Sequence, residues 1–145
     1  MNRKPKLSSL EKASDGFLGG LRNVILSTNE TNGDVYLVEG TMPKDSIVPV
    51  HIHELEDEIF HVLEGSVELI LGDKTITGKK GDIIYLPRGI KHGIKTLGDK
   101  TAKVLNYVIP GKNFEEFFTK MNAIGLNASV EEKAKIGSEH GIRFL

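Results

Sequence analysis

Short apolar stretches alternate with turn-rich segments between residues 21 and 110. Stretches of this length bounded by turn formers are typical of β-strands. The turn formers are densest at residues 28–34 and at Gly72-Asp73, which predicts a hairpin at each place. The predicted strands cover residues 21–27, 35–42, 47–53, a segment from 58, 66–71, 74–77, 83–86, 92–96 and 102–108. Many short, evenly spaced strands predict a β-sandwich or barrel and not a parallel α/β fold.

The pattern changes after residue 110, where apolar residues recur at helical spacing. One face of the predicted helix holds Phe114, Phe117, Phe118 and Met121. Asn113 is predicted to cap the helix, Glu115 and Glu116 to lie in its first turn, and Gly125 to follow its end. An aromatic face of this kind is more often core than ligand site. We therefore expect the helix to pack against the barrel or against another subunit.

A second, shorter helix is predicted downstream of the first. Ser129 and Glu132 have the spacing of a capping box, and Gly141 follows the expected end of the helix. Residues 142–145 are apolar enough to add an edge strand. The segment 1–20 is polar and ends in glycines. The chain therefore divides into an N-terminal arm (1–20), a sandwich or barrel (21–110) and a C-terminal helical extension (111–145), which together form one domain.

Charge and composition narrow the function classes. The 145 residues contain 19 lysines and arginines against 20 acidic residues, for a net charge of −1. This balance, with no dense basic run, argues against a nucleic-acid partner. The chain has no cysteine, which excludes disulfides, thiolate ligands and cysteine nucleophiles. No apolar run reaches membrane-spanning length and no signal peptide is recognisable, so we expect a soluble, cytoplasmic protein with no membrane partner.

Residue types that commonly bind metal ions occur in two stretches, the first of which begins at residue 51. His51 and His53 are two residues apart, so their imidazoles point to the same side of a strand. A tight turn over residues 54–57 would return Glu58 beside them on the next strand, and a second stretch supplies His92 after a Pro-x-Gly turn. A His-x-His pair alone is weak evidence, and acidic turns are usually solvated. Together, however, these residue types indicate a site for one divalent transition metal ion, whether Fe, Mn, Ni, Cu or Zn.

The spacing of these residues resembles the two motifs of the cupin superfamily. The first motif, His-x-His-x4-Glu-x6-Gly, matches at His51, His53, Glu58 and Gly65, and the second, Gly-x5-Pro-x-Gly-x2-His, at Gly81, Pro87, Gly89 and His92. Asp45 and Thr96 stand where the motifs often have glycine and asparagine, and neither is a ligand position. The resemblance implies an all-β double-stranded β-helix, a cupin or jelly-roll barrel with a short C-terminal helical extension. It also implies one metal ion inside the barrel, bound by His51, His53, Glu58 and His92.

The flanking residues are similar to a narrower group of small bacterial cupins called quercetin-dioxygenase-like. The similarity lies in residues 57–65, 110–118 and 140–142. It implies a metal-dependent dioxygenase that acts on a small phenolic or enol substrate. It also implies a catalytic role for Glu58, which would bind the metal and take the hydroxyl proton of the substrate. A non-catalytic cupin that holds a metal and a small ligand is the alternative from another class, and a metal-dependent cupin isomerase is the third.

Two candidate pocket residues follow from strand parity. Phe60 and Val62 share the face of the candidate carboxylate, so they are predicted to line the substrate pocket, and Tyr85 is a further candidate. Tyr36, Tyr85 and Tyr107 could each face the pocket or the outside. Three residues of chemically capable types are interpreted as solvated, structural or surface residues: Arg88, His61 and His140.

The expected partners are a small-molecule substrate and a second copy of the chain. Cupins of this size often pair through their barrel sheets, so the resemblance implies a homodimer. The hydrophobic tail and the glycine-rich arm are consistent with this assembly.

Overall fold

The computed structural model describes residues 3–9, 14–15, 21–125 and 127–145, and within them the chain forms two antiparallel sheets and two helices. The strands are β1 (Ser14–Asp15), β2 (Leu21–Leu26), β3 (Tyr36–Met42), β4 (Ile47–His53), β5 (Asp57–Glu64), β6 (Ser66–Leu71), β7 (Lys74–Lys79), β8 (Ile83–Leu86), β9 (His92–Thr96), β10 (Ala102–Ile109) and β11 (Ile142–Phe144). Helices α1 (Lys112–Ile124) and α2 (Val130–Glu139) separate the last two strands.

The strand order confirms the double-stranded β-helix. One sheet has the order β1-β2-β3-β10-β5-β8 and the other β11-β4-β9-β6-β7. Both predicted hairpins are present, since β2 pairs with β3 and β6 pairs with β7. Inward side chains of the two sheets meet to form the interior of the barrel. The predicted all-β class with C-terminal helices is therefore correct.

Two hydrophobic clusters fill this interior. The barrel core contains Phe60, Val62, Val67, Leu69, Ile84, Leu86, Ile94, Ala102 and Val104. The extension core contains Tyr36, Val38, Val108, Phe114, Phe117, Met121 and Ile142. The candidate ligands lie between them: the ring centroids of Phe60 and His92 are 6.4 Å apart, and those of Phe114 and His53 are 5.4 Å apart. The helical extension thus closes the barrel beside the ligand set.

The start of α1 differs from the prediction. Gly111 occupies the N-cap position without a side-chain hydrogen bond, so the predicted cap at Asn113 is wrong. The side chain of Asn113 points instead toward the barrel, where Nδ2 donates to Glu56 Oε2 and to the backbone oxygen of His140. Gly125 follows the helix with φ of 78°, a left-handed conformation that suits glycine, as predicted. Neither described helix is long and apolar enough to cross a membrane.

Helix α2 and strand β11 follow the prediction closely. Ser129 and Glu132 form the capping box, each side chain bonding the backbone amide of the other residue. Strand β11 pairs antiparallel with β4, where Ile142 lies opposite His53 and Phe144 opposite His51. The extension is therefore bonded directly to the strand that carries two candidate ligands.

A β-bulge interrupts β4 before the ligand pair. Strict alternation would place Ile47 on the same face as His51, but the register shifts between Val48 and His51. Val48 lies opposite Ile94 and packs on the barrel core, whereas Ile47 is 59% exposed. A bulge adds one residue to one strand and reverses the parity beyond it. The turned backbone also places the Pro49 carbonyl beside the His51 ring.

The described part of the predicted arm lies along β2. Lys6 Nζ and Ser8 Oγ both donate to the carbonyl of Ile25, and Asn23 Nδ2 donates to the carbonyl of Ser9. Residues 14–15 add a short strand to the same sheet edge. The other arm positions, 1–2, 10–13 and 16–20, lie outside the described residues. The described positions of the arm thus contact the barrel of their own chain.

Candidate metal centre

The four residues singled out from the sequence converge inside the barrel. His51, His53, Glu58 and His92 are buried, and each offers one ligand atom within 4.8 Å of those of the others. His51 on β4 lies directly opposite His92 on β9, while Glu58 reaches in from β5 of the facing sheet. The set therefore joins the two sheets.

Two imidazoles are oriented by hydrogen bonds on their outer nitrogens. His51 Nδ1 lies 2.6 Å from the Pro49 carbonyl oxygen, and His53 Nδ1 lies 2.6 Å from Glu56 Oε1. Both partners are acceptors, so both Nδ1 atoms donate and both Nε2 atoms turn inward. The two Nε2 atoms are 3.1 Å apart. Lone pairs that face each other at this distance require a proton or a cation between them.

The remaining two ligand atoms also fit a metal ion. Asn106 Nδ2 donates to Glu58 Oε1, which leaves Glu58 Oε2 directed at the imidazoles, 3.3 Å from His53 Nε2 and 2.9 Å from His92 Nε2. Glu58 Oε2 and His92 Nε2 are buried, and neither has a hydrogen-bond partner with suitable geometry among the described residues. Buried polar atoms without partners are costly, and one cation would satisfy both.

The electrostatics favour the metal-binding forms of two ligands. Burial, and then the neighbouring His92 and His53 rings, lower the pKa of His51 to about 4, so it is neutral at pH 7. Burial alone would raise the pKa of Glu58, but His53 and His92 outweigh it and lower that pKa well below its usual range. Burial also disfavours the charged form of His53, yet Glu58 and Glu56 raise its pKa. A metal ion thus competes with a proton at His53.

Comparison with known proteins identifies the family. Residues 35–108 match the model of the cupin domain. The chain belongs to the cupin family. Its buried three-histidine, one-glutamate cluster is typical of cupin metal sites. Helix α1 and strand β11, which flank this cluster, lie outside the matched residues.

Two of the proteins similar to this cupin are named as enzymes of different kinds. An uncharacterised protein of Methanocaldococcus jannaschii is 32% identical over 80 residues, which cover 55% of this chain and 64% of that protein. Quercetin 2,3-dioxygenase of Bacillus subtilis is 28% identical over 98 residues, which cover 68% of this chain and 28% of the enzyme. The chain thus spans under two thirds of each curated relative. The solved polyketide cyclase RemF of Streptomyces resistomycificus superposes with a TM-score of 0.61 at 28% identity, covering 74% of this chain and 80% of that one.

An apolar cavity of about 150 Å³ adjoins the ligand set. The barrel contributes Phe60, Ile94 and Val104 to its wall, and the extension contributes Phe114, Phe117 and Phe118. Phe60, a predicted pocket residue, therefore lines the cavity beside the ligand set. The aromatic face of α1, expected to be core, is both core and cavity wall.

Two predicted pocket residues lie elsewhere. Val62 is fully buried in the barrel core, because it is one inward position further along β5 than Phe60 and points past the cavity. Tyr85 is 58% exposed on the outer face of β8, because the inward positions of that short strand belong to Ile84 and Leu86. Tyr85 thus belongs to the outer surface.

The homodimer predicted from the sequence stays a prediction.

The other chemically capable residues also have structural partners. Arg88 donates from Nε to Asp57 Oδ1 at 3.2 Å and from Nη2 to Asp57 Oδ2 at 3.1 Å. This pairing lowers the pKa of the Asp57 carboxyl. Tyr36 is buried in the extension core, where its hydroxyl accepts from Arg22. His140 is buried and its Nδ1 lies 2.7 Å from the Ile136 carbonyl. His61 and Tyr107 lie on the outer face of the sheet, as does Ile59.

Three polar residues around the ligands were not predicted from the sequence. Asn106 donates a hydrogen bond to Glu58, Glu56 accepts one from His53, and Asn113 donates one to Glu56. Glu56 looked like part of a solvated acidic turn, yet it is fully buried. Its position three residues after His53 is the one signal available in the sequence. Asn106 and Asn113 come from distant segments and give no comparable signal.

Replacing Glu56 with glutamine is expected to weaken metal binding by about 10- to 100-fold, the usual cost of losing a group that orients a ligand histidine. The glutamine amide places a donor against either His53 Nδ1 or Asn113 Nδ2, so one hydrogen bond of the chain is lost. Competition titration of Co²⁺ against a chelating dye measures the change. Glu54→Gln, in the same turn but half exposed and paired with Arg143, is the matched control. Equal affinities in the two variants would contradict the role of Glu56.

Proposed function

We propose that this cupin is a metal-dependent dioxygenase that acts on a small phenolic or enol substrate. The observation that carries the proposal is the buried three-histidine, one-glutamate set beside an apolar cavity. Three imidazoles and one carboxylate would hold a divalent transition metal ion. A bound redox-active ion, Fe, Mn, Ni or Cu, would supply dioxygen activation, whereas Zn has no redox chemistry of its own.

The protein contributes binding, orientation and a proton acceptor. Phe60 and Phe114 lie beside two different candidate ligands and line the cavity, so they give it aromatic walls. The apolar wall excludes water, which strengthens electrostatic interactions at the site. Asn106 keeps one oxygen of Glu58 occupied, so Oε2 is the atom positioned to take the hydroxyl proton of the substrate.

The similarity to a quercetin 2,3-dioxygenase supports the reaction class, although only 28% of that enzyme is covered. A second candidate is a non-redox conversion of an enol or ketone, such as an isomerisation or cyclisation. The observation that favours it is the 28% identity to a polyketide cyclase over most of its length. In both candidates a bound ion would supply Lewis-acid chemistry toward a substrate oxygen, and the two candidates differ in whether dioxygen is consumed.

Oxygen consumption separates the two candidates. Protein loaded in turn with Fe, Mn, Ni and Cu is expected to consume oxygen with a single-ring phenol or enol, one dioxygen per substrate. Glu58→Gln is expected to lower the rate at least about 100-fold, because it removes a ligand charge and the proton acceptor. An oxygen electrode and mass analysis of the product measure both quantities. His61→Gln, on the same strand but facing outward, is the matched control.

Two results would overturn the dioxygenase. Substrate conversion at an unchanged rate under anaerobic conditions would favour the non-redox candidate. Saturable ligand binding without conversion, for every metal tested, would identify a non-catalytic metal- and ligand-binding cupin.

A further inference from the structure

The size of the cavity limits what can reach the ligand set. A protein cavity of about 150 Å³ is known to accommodate benzene, and this cavity has that volume. Pockets for drug-sized ligands are about 300–1,000 Å³. A single ring with small substituents thus fits the enclosed part of the site, and a multi-ring flavonol would extend beyond it.

Helix α1 sets this limit with two phenylalanines one turn apart. The Phe114 ring contacts the His53 ring at 5.4 Å between centroids, and the Phe118 ring lies 5.8 Å from that of Phe114. The Arg22 guanidinium lies 4.4 Å from the Phe118 ring centroid. The helix therefore spans the cavity from a candidate metal ligand at one end to a cation at the other.

Arg22 gives the cavity a polar end opposite the ligand set. Among the described residues, Arg22 is the charged side chain that lines the cavity outside the four candidate ligands. Its position is fixed by the Phe118 ring and by a 3.2 Å hydrogen bond from Nη1 to the Tyr36 hydroxyl. Arg22 also borders an outer groove that contains Glu115 and Glu116. A planar guanidinium is suited to bind a carboxylate with two hydrogen bonds.

We propose that the cavity takes a small, single-ring carboxylate with a phenolic or enolic oxygen at its other end. The proposal rests on the proposed function for the metal end of the substrate. The hydroxyl end faces the ligand set, the ring lies beneath Phe114 and Phe118, and the carboxylate pairs with Arg22. Arg22 is thus a specificity-determining residue, and Phe118 sets the size limit. The chain accordingly differs in substrate from a flavonol dioxygenase.

Calorimetric titration with two matched probes tests the charge preference. 4-Hydroxybenzoate and 4-hydroxybenzamide have the same shape, and only the first carries a carboxylate. The metal-loaded native protein is expected to bind 4-hydroxybenzoate at least about 10-fold more tightly, since hydrogen bonds between charged groups are stronger than neutral ones. Arg22→Gln is expected to abolish the preference, and Arg22→Lys to retain part of it. Metal content and circular dichroism establish that each variant is folded.

A second arm tests the size limit. A flavonol is expected to show no saturable binding to the native protein and to bind Phe118→Ala, in which the cavity is enlarged. The proposal is overturned if native protein binds neither hydroxylated probe, if Arg22→Gln keeps the full preference, or if native protein binds the flavonol better than 4-hydroxybenzoate. None of these measurements requires turnover. A failed dioxygenase assay with intact Arg22-dependent binding would therefore reject the proposed function and leave this inference standing.

Discussion

Replacing His92 with alanine is expected to remove the metal ion from the protein as purified. His92 is the one candidate ligand on β9, and it stands opposite His51 and 2.9 Å from Glu58 Oε2. Alanine leaves two imidazoles and a carboxylate in a site where the fourth position would be apolar. The loss of a direct ligand should exceed the 10- to 100-fold cost of losing an outer partner.

Elemental analysis of untagged protein, purified without chelators, measures this effect. Native protein and His61→Ala are expected to contain close to one metal ion per chain, and His92→Ala almost none. His61 is the suitable control because it lies on the outer face of β5, the strand that carries Glu58. Near-stoichiometric Fe, Mn, Ni or Cu would also select the ion for the oxygen assay. Full metal content in His92→Ala, or none in native protein after reconstitution, would reject the four-ligand site.

The strands and three of the candidate ligands were predictable because their signals are local in sequence, whereas His92 was added by the resemblance of the second motif. Strand alternation, turn residues and the spacing from His51 to Glu58 each extend over fewer than ten residues. The capping box at Ser129 and the edge strand after Gly141 are equally local. Each of these predictions needed only the conformation of one short segment and its neighbour.

What could not be predicted depends on pairing between distant segments. The bulge before His51 appears only when β4 pairs with β9, so the outward turn of Ile47 had no sequence signal. Asn113 has the side chain of a helix cap, but a buried carboxylate from another element provides a better partner. Tyr85 lies in a motif that supplies a ligand, yet the parity of β8 turns it outward. For Ile47 and Asn113, tertiary contacts override a sound local preference.

The packing of the C-terminal extension on the barrel affects both the stability of the fold and the candidate metal site. Phe114 touches His53, Asn113 holds Glu56, and β11 pairs with the strand of His51 and His53. The packing that fixes α1 on the barrel therefore also positions two candidate ligands and the cavity wall. Phe117 is central to that packing, since its ring lies within 6.4 Å of Phe114, His140 and Phe144.

Phe117→Ala is accordingly expected to lower the free energy of unfolding by about 3–5 kcal/mol, the usual cost of removing a buried phenylalanine. Urea unfolding at a fixed metal concentration measures it, and the same variant should bind Co²⁺ more weakly because α1 no longer holds Asn113 against Glu56. Val130→Ala, at an 82% exposed position on α2, should change stability by less than about 0.5 kcal/mol. A destabilised Phe117→Ala with native metal affinity would mean that the extension stabilises the barrel without positioning its ligands.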